Sequence, residues 1–160
     1  MAVKVRDVPE LCHRYTDHHV KSIISNAGEI GSLPEDNLEI AFASNVFEHL
    51  LSKQQLFEIY CDIHQVLRKG RKLPIIQPTI TYPYRGYWDF IDHFKPLTEN
   101  SLDETLIIKI FKISECIPQS LPFSVSSSPS ESRKLPSLYL KIPPLWRIFG
   151  RQQSVVGVKP

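Results

Sequence analysis

The chain has 160 residues, enough for one domain, with 19 Lys and Arg against 17 Asp and Glu and a formal net charge of +2. That near-balance excludes the basic stripe of a nucleic-acid binder, and 42% hydrophobic residues with 22% charged exclude a disordered tail. No apolar run approaches the ~18 residues of a membrane-spanning helix, and the first residues lack a signal-peptide core. Cys12, Cys61 and Cys116 are odd in number and far apart, which is no disulfide framework and fits a reducing compartment. The chain reads as soluble and cytoplasmic.

In chain order, Val3 and Val5 alternate before Asp7 and Pro9, a short strand ending in a turn. Val20, Ile23 and Ile24 predict a second strand, closing near Asn26 and Gly28. The turn signal Pro34-Glu35-Asp36-Asn37 precedes a third, Ile40 to Ala43, whose unbroken apolar character suits a parallel strand. A helix is predicted between Asn45 and Gly70, at about 47–69, from Leu56, Ile59, Ile63, Val66 and Leu67. Arg68 and Lys69 fall in its expected last turn and Gly70 at its expected stop. Leu73 to Gln77 then reads as a strand adjacent and parallel to 39–44. A second helix is expected from Ser101 to Phe111, with Ser101 and Glu104 as a capping box and Leu102, Leu106 and Ile110 on one face. Seven serines in residues 124–137 predict a surface loop, and Gln152 to Val158 a closing strand. Together these predict one α/β domain over residues 1–160, a three-layer sandwich with a mostly parallel sheet.

Ligands bind such folds at the carboxyl ends of parallel strands. Here those ends are Asp7, Asn26-Ala27, Ser44-Asn45 and Gln77-Pro78. The string Phe42-Ala43-Ser44-Asn45-Val46-Phe47-Glu48-His49-Leu50 resembles the fourth-strand motif of class I S-adenosylmethionine-dependent methyltransferases. Val66-Leu67-Arg68-Lys69-Gly70-Arg71-Lys72-Leu73 is similar to that family's approach to its fifth strand. The resemblance continues through Tyr87 to His93, Pro96 to Thr98, Ser101-Leu102, Leu138 to Leu140, Trp146-Arg147 and Gly150 to Gln152. It covers residues 38–160 well and 1–37 loosely.

The resemblance implies a Rossmann-like sheet in the order 3-2-1-4-5-7-6 and S-adenosylmethionine as cofactor. Asp7 would hold the ribose hydroxyls, Asn26 and Ala27 would meet the adenine, and Ser44, Asn45, Glu48 and His49 would lie near the methionine part. Asp92 and His93 would face a small-molecule or sugar-like acceptor, His93 as general base and Asp92 orienting it. Each has a plainer reading. Asp7 and Asn26 are ordinary turn residues, and Asn45 with Glu48 matches a helix cap. His49 suits simple packing, and Asp92-His93 suits fixing a loop beside Tyr82, Tyr84, Tyr87 and Trp88. Cys12-His13 and His18-His19 lack the tight paired spacing of zinc ligands, so no metal site is predicted.

The family's first strand and its G-x-G loop have no counterpart here: the chain begins at what looks like the second strand. The sheet is therefore expected to be incomplete, with a partner or a missing segment supplying the strand. Arg71 stands in place of a family glycine, and Ile110 where a glycine-phenylalanine turn leads into the sixth strand. Two functions stay open: methyl transfer to an unidentified acceptor, or a non-catalytic remnant serving as a structural or interaction piece. A third reading, membrane-surface association through Leu138 to Phe149, is weakened by Pro143-Pro144, which break a long amphipathic helix.

Overall fold

The computed structural model describes residues 27–82, 86–122 and 138–160. The segments at Val3–Val5 and Val20–Ile24 and the serine-rich stretch lie outside the described residues. Among the described residues the strands are β1 (Leu38–Ile40), β2 (Ala43–Ser44), β3 (Leu67–Pro78), β4 (Lys112–Ile117) and β5 (Gln152–Val158). They form one sheet ordered β1-β3-β5-β4, with β2 also on β3. β1 and β2 run parallel to β3, while β5 lies antiparallel between β3 and β4. Ala43 pairs with Ile75 and Ser44 with Ile76, so the adjacency expected for 39–44 and 73–78 is present. This is the 4-5-7-6 half of the order implied by the resemblance.

Helix α1 (Lys53–Val66) crosses from β2 to β3 and buries Leu56, Ile59, Tyr60, Ile63 and Val66. Parallel neighbours require such a crossover. The single helix expected over 47–69 is corrected at both ends. Phe47–His49 forms one separate 3-10 turn, and α1 starts where Ser52 and Gln55 build a reciprocal capping box. At the other end Leu67 is claimed by parallel pairing with Leu38, and Arg68 reaches the Asp36 carbonyl and the Glu39 carboxylate. Gly70 is a left-handed kink inside β3 (φ +73°) whose N–H donates to the Lys159 carbonyl at 2.8 Å. Only glycine takes that conformation freely.

Helix α2 (Glu99–Ile108) is capped by Thr98 in a box with Ser101, one turn ahead of the pair expected from the sequence. Leu102 and Leu106 are buried, but Ile110 leaves the helix face and is 68% exposed at φ +66°. Phe111 enters the core in its place. Helix α3 (Pro143–Phe149) opens on its two prolines, where their missing N–H groups cost nothing, and has no buried residue.

Helices α1 and α2 share a core with the Leu73, Ile75 and Val155 face of the sheet. The alternate residues, Pro74, Ile76 and Val156, are half-buried on the opposite face, and Phe42 there is 62% exposed. Among the described residues no helix is long and apolar enough to cross a membrane.

Candidate functional site

β2 ends at Ser44, whose side chain is exposed. Asn45 then turns the chain in the left-handed region (φ +50°), which asparagine tolerates better than most residues. Its N–H donates to the Ile76 carbonyl at 2.9 Å, and its Oδ1 accepts from Gln152 Nε2 at 2.9 Å. Asn45 is therefore a turn residue tied to β5 rather than a helix cap; the 3-10 turn that follows has no side-chain cap. The turn sends Phe47 into the core against Tyr60, ring centroids 5.1 Å apart.

The Glu48 carbonyl accepts the N–H groups of Phe94 (2.8 Å) and Lys95 (3.2 Å). Lys95 Nζ donates to the Leu50 carbonyl at 2.9 Å, and the Tyr87 hydroxyl donates to the Lys95 carbonyl. These four bonds pin the 86–97 loop over the Phe47–His49 turn, and so set His93 beside Glu48.

Glu48 is 1% exposed, and neither carboxylate oxygen has a hydrogen-bond partner among the described residues. Its nearest ion-pair contact is His49 Nε2 at 3.8 Å. Burial pushes the Glu48 carboxyl above the ordinary carboxylate range; Asp92 acts in the same sense and His49 against it. His49 Nδ1 lies 2.9 Å from the Asp92 carbonyl and 3.4 Å from Asp92 Oδ2. Asp92 thus orients His49. His93, 7% exposed, packs among Tyr87, Phe90 and His49, with ring centroids 4.8, 5.0 and 5.1 Å away. Its Nδ1 has no hydrogen-bond partner among the described residues. Burial holds the imidazole below its ordinary value, and the His49 ring adds to that.

Glu48, His49, Asp92 and His93 therefore converge just beyond the carboxyl end of β2, with Ser44 and Asn45 at the strand end itself. Ala27 lies elsewhere, in a 3-10 turn (Ala27–Ser32) that packs on α1. Asp7, Asn26 and Tyr84 lie outside the described residues. Tyr87 is buried, whereas Tyr82 and Trp88 are exposed. Sequence reasoning missed Gln152, which anchors Asn45, and Gln153; Gln77, marked from the sequence only as a strand end, and Gln153 face each other across β3 and β5. Both are buried, with amides unpartnered among the described residues. The available signal was a polar residue inside an otherwise apolar strand.

No protein-family model matches the chain, and no curated protein does. Solved structures do. An S-adenosylmethionine-dependent methyltransferase from Archaeoglobus fulgidus superposes with a TM-score of 0.62 at 23% identity, over 94% of this chain and 72% of that one. A Methanosarcina mazei S-adenosylmethionine-dependent methyltransferase gives 0.60 at 16%, over 94% and 74%. The complex of the Haloferax volcanii Trm112 methyltransferase activator with the protein assigned as its methyltransferase gives 0.65 at 13%, over 97% and 69%. The chain has the fold of class I S-adenosylmethionine-dependent methyltransferases.

Proposed function

We propose that the protein is an S-adenosylmethionine-dependent methyltransferase whose acceptor binds beside the 86–97 loop. The observation that supports this is the convergence of Glu48, His49, Asp92 and His93 beyond β2 in a sheet of methyltransferase order. The residues present fit the cofactor's methionine end: Ser44 offers an exposed hydroxyl at the strand end, and the turn that follows brings in the buried, unpartnered carboxylate of Glu48. When bound, the cofactor supplies a methyl group on a sulfonium that leaves readily.

The chain's own residues do the rest. Ser44 and Asn45 border the cofactor side, and Asp7 and Asn26 complete it on the resemblance. His93, kept neutral by burial and with Nδ1 free, takes the proton of an acceptor hydroxyl. The loop that carries it orients the acceptor, and such alignment is the larger part of an in-line transfer. The alternative, a non-catalytic remnant, is favoured by one feature: the chain contains no G-x-G pair to approach the cofactor closely.

Transfer of labelled methyl groups decides the matter, measured on this chain and on a form extended by a strand and glycine loop. The chain alone is expected to bind S-adenosylmethionine weakly, and the extended form to bind it and turn over. In that form His93→Ala lowers turnover by about 10²–10⁴-fold while leaving cofactor affinity within about twofold. Equal losses in both would make His93 a structural loop residue. Absence of cofactor binding in both forms would establish the remnant.

A further inference from the structure

We propose that Glu48, His49 and His93 form a binding site for a divalent metal ion of the zinc class, with three protein ligands and at least one open position. One ligand atom from each side chain lies within 4.8 Å of the other two. Around a tetrahedral ion with bonds of about 2.0–2.2 Å, ligand atoms stand about 3.4 Å apart. An ion thus has to draw the ligand atoms together by at most about 1.4 Å, within reach of small side-chain rotations.

The donor chemistry agrees with the spacing. The Glu48 carboxylate is buried, and both of its oxygens are free of hydrogen bonds among the described residues. A buried carboxylate without partners is costly, and a cation is the natural complement. On His49, the Asp92 carbonyl 2.9 Å from Nδ1 can only accept, so the ring proton is on Nδ1 and the Nε2 lone pair is free on the side of Glu48. A metal-ligating histidine is usually held in this way, its other nitrogen donating to a carbonyl or carboxylate. His93 brings a buried Nδ1 with no partner among the described residues, in a shell of Tyr87 and Phe90 rings that limits water.

Two imidazoles and one carboxylate favour zinc, iron or cobalt over magnesium or calcium, which prefer oxygen ligands throughout. Three protein ligands leave room for water or an acceptor oxygen. The site stands on this geometry alone, whether or not methyl transfer occurs. If both hold, the His93 nitrogen assigned above to proton uptake is committed to the ion, and acceptor activation passes to the open coordination position. The spacing rules that argued against a metal at the sequence level do not reach this set, because forty-three residues lie between His49 and His93 along the chain.

The test uses the full chain stripped with a chelator, without S-adenosylmethionine present. Calorimetric titration with Zn(II) is expected to show one ion per chain with micromolar or tighter affinity. Titration with Co(II) is expected to give the visible bands of a low-coordinate nitrogen and oxygen site. Glu48→Gln, nearly isosteric and relieved of a buried charge, should keep its circular dichroism spectrum and weaken binding by roughly 100-fold or more, beyond the 10–100-fold typical of an outer partner. His93→Ala should do the same. A variant with Cys12, His13, His18 and His19 replaced together should bind as the parent does. Affinity no tighter than about 0.1 mM, binding unchanged in Glu48→Gln, or binding abolished in the fourfold variant would each overturn the proposal. Because no cofactor is added, a failed S-adenosylmethionine titration counts against methyl transfer and leaves this site standing.

Discussion

His64 shows how one side chain on α1 carries a pH response. Its ring meets Phe111 edge-on at 5.1 Å, and its Nε2 is buried without a partner among the described residues. Burial holds the imidazole below its ordinary value of 6.5; the Lys159 ammonium adds to this and Asp36 opposes it. The folded state therefore binds fewer protons than the unfolded chain between the folded value and 6.5, and stability rises with pH across that window. The contribution is fully present above 6.5 and is lost as the pH falls toward the folded value. His64→Gln should flatten the melting temperature between pH 7 and pH 5 relative to the parent; an unchanged slope would assign the response to other groups. Legibility at this scale follows chain distance. Ser44, Asn45, Glu48 and His49 are contiguous enough to stand out as a string, whereas the bond between His49 and the Asp92 carbonyl joins two loops and exists only after folding.

Helix ends repeat that lesson one level up. Asn45 with Glu48 and Ser52 with Gln55 are comparable capping signals seven residues apart, and local chemistry does not choose between them. Tertiary contacts do: Gln152 takes the Asn45 side chain, which leaves Ser52 to cap α1. Ser52→Ala should cost about 1 kcal/mol in chemical denaturation, the usual worth of such a cap. At the end of α2 helical spacing misled, carrying the helix to Phe111 with Ile110 on its buried face, and only the resemblance pointed to a turn there. The resemblance expects glycine at position 110, and Ile110 does adopt the left-handed conformation (φ +66°) that a β-branched residue resists. The strain is of order 1–2 kcal/mol, and the side chain, 68% exposed, returns little by burial. Ile110→Gly should raise stability by about 1 kcal/mol; a destabilised variant would show that the isoleucine makes up the difference through its contacts.

For the whole molecule, the parallel pairing of β2 with β3 followed from readable facts, apolar runs at Ile40–Ala43 and Leu73–Ile76 with an amphipathic helix between them, whereas the full sheet order came only with the resemblance. The length of β3 did not follow. Its first turn of chain, Arg68 to Lys72, is charged and exposed, and no apolar period marks it as strand. What holds it there is remote: Glu39 pairs with Arg68 and Arg71, and Lys159 accepts the Gly70 N–H. The helical part of the core was foreseeable, because Leu56, Ile59, Ile63, Leu102 and Leu106 obey helical spacing.

The position of β5 also sets a timetable. β5 is made after both β3 and β4, yet it sits between them and pairs with both. β4 ends at Ile117 and β5 begins at Gln152, so about thirty-five further residues must be translated before the sheet can close. At about 5–20 residues per second, that interval lasts about two to seven seconds. Throughout it, among the described strands, one edge of β3 and both edges of β4 stay bare, each a template for pairing with another chain. The order of synthesis and the order of assembly thus run in different directions, and a growing polypeptide of this design keeps those edges open until β5 arrives.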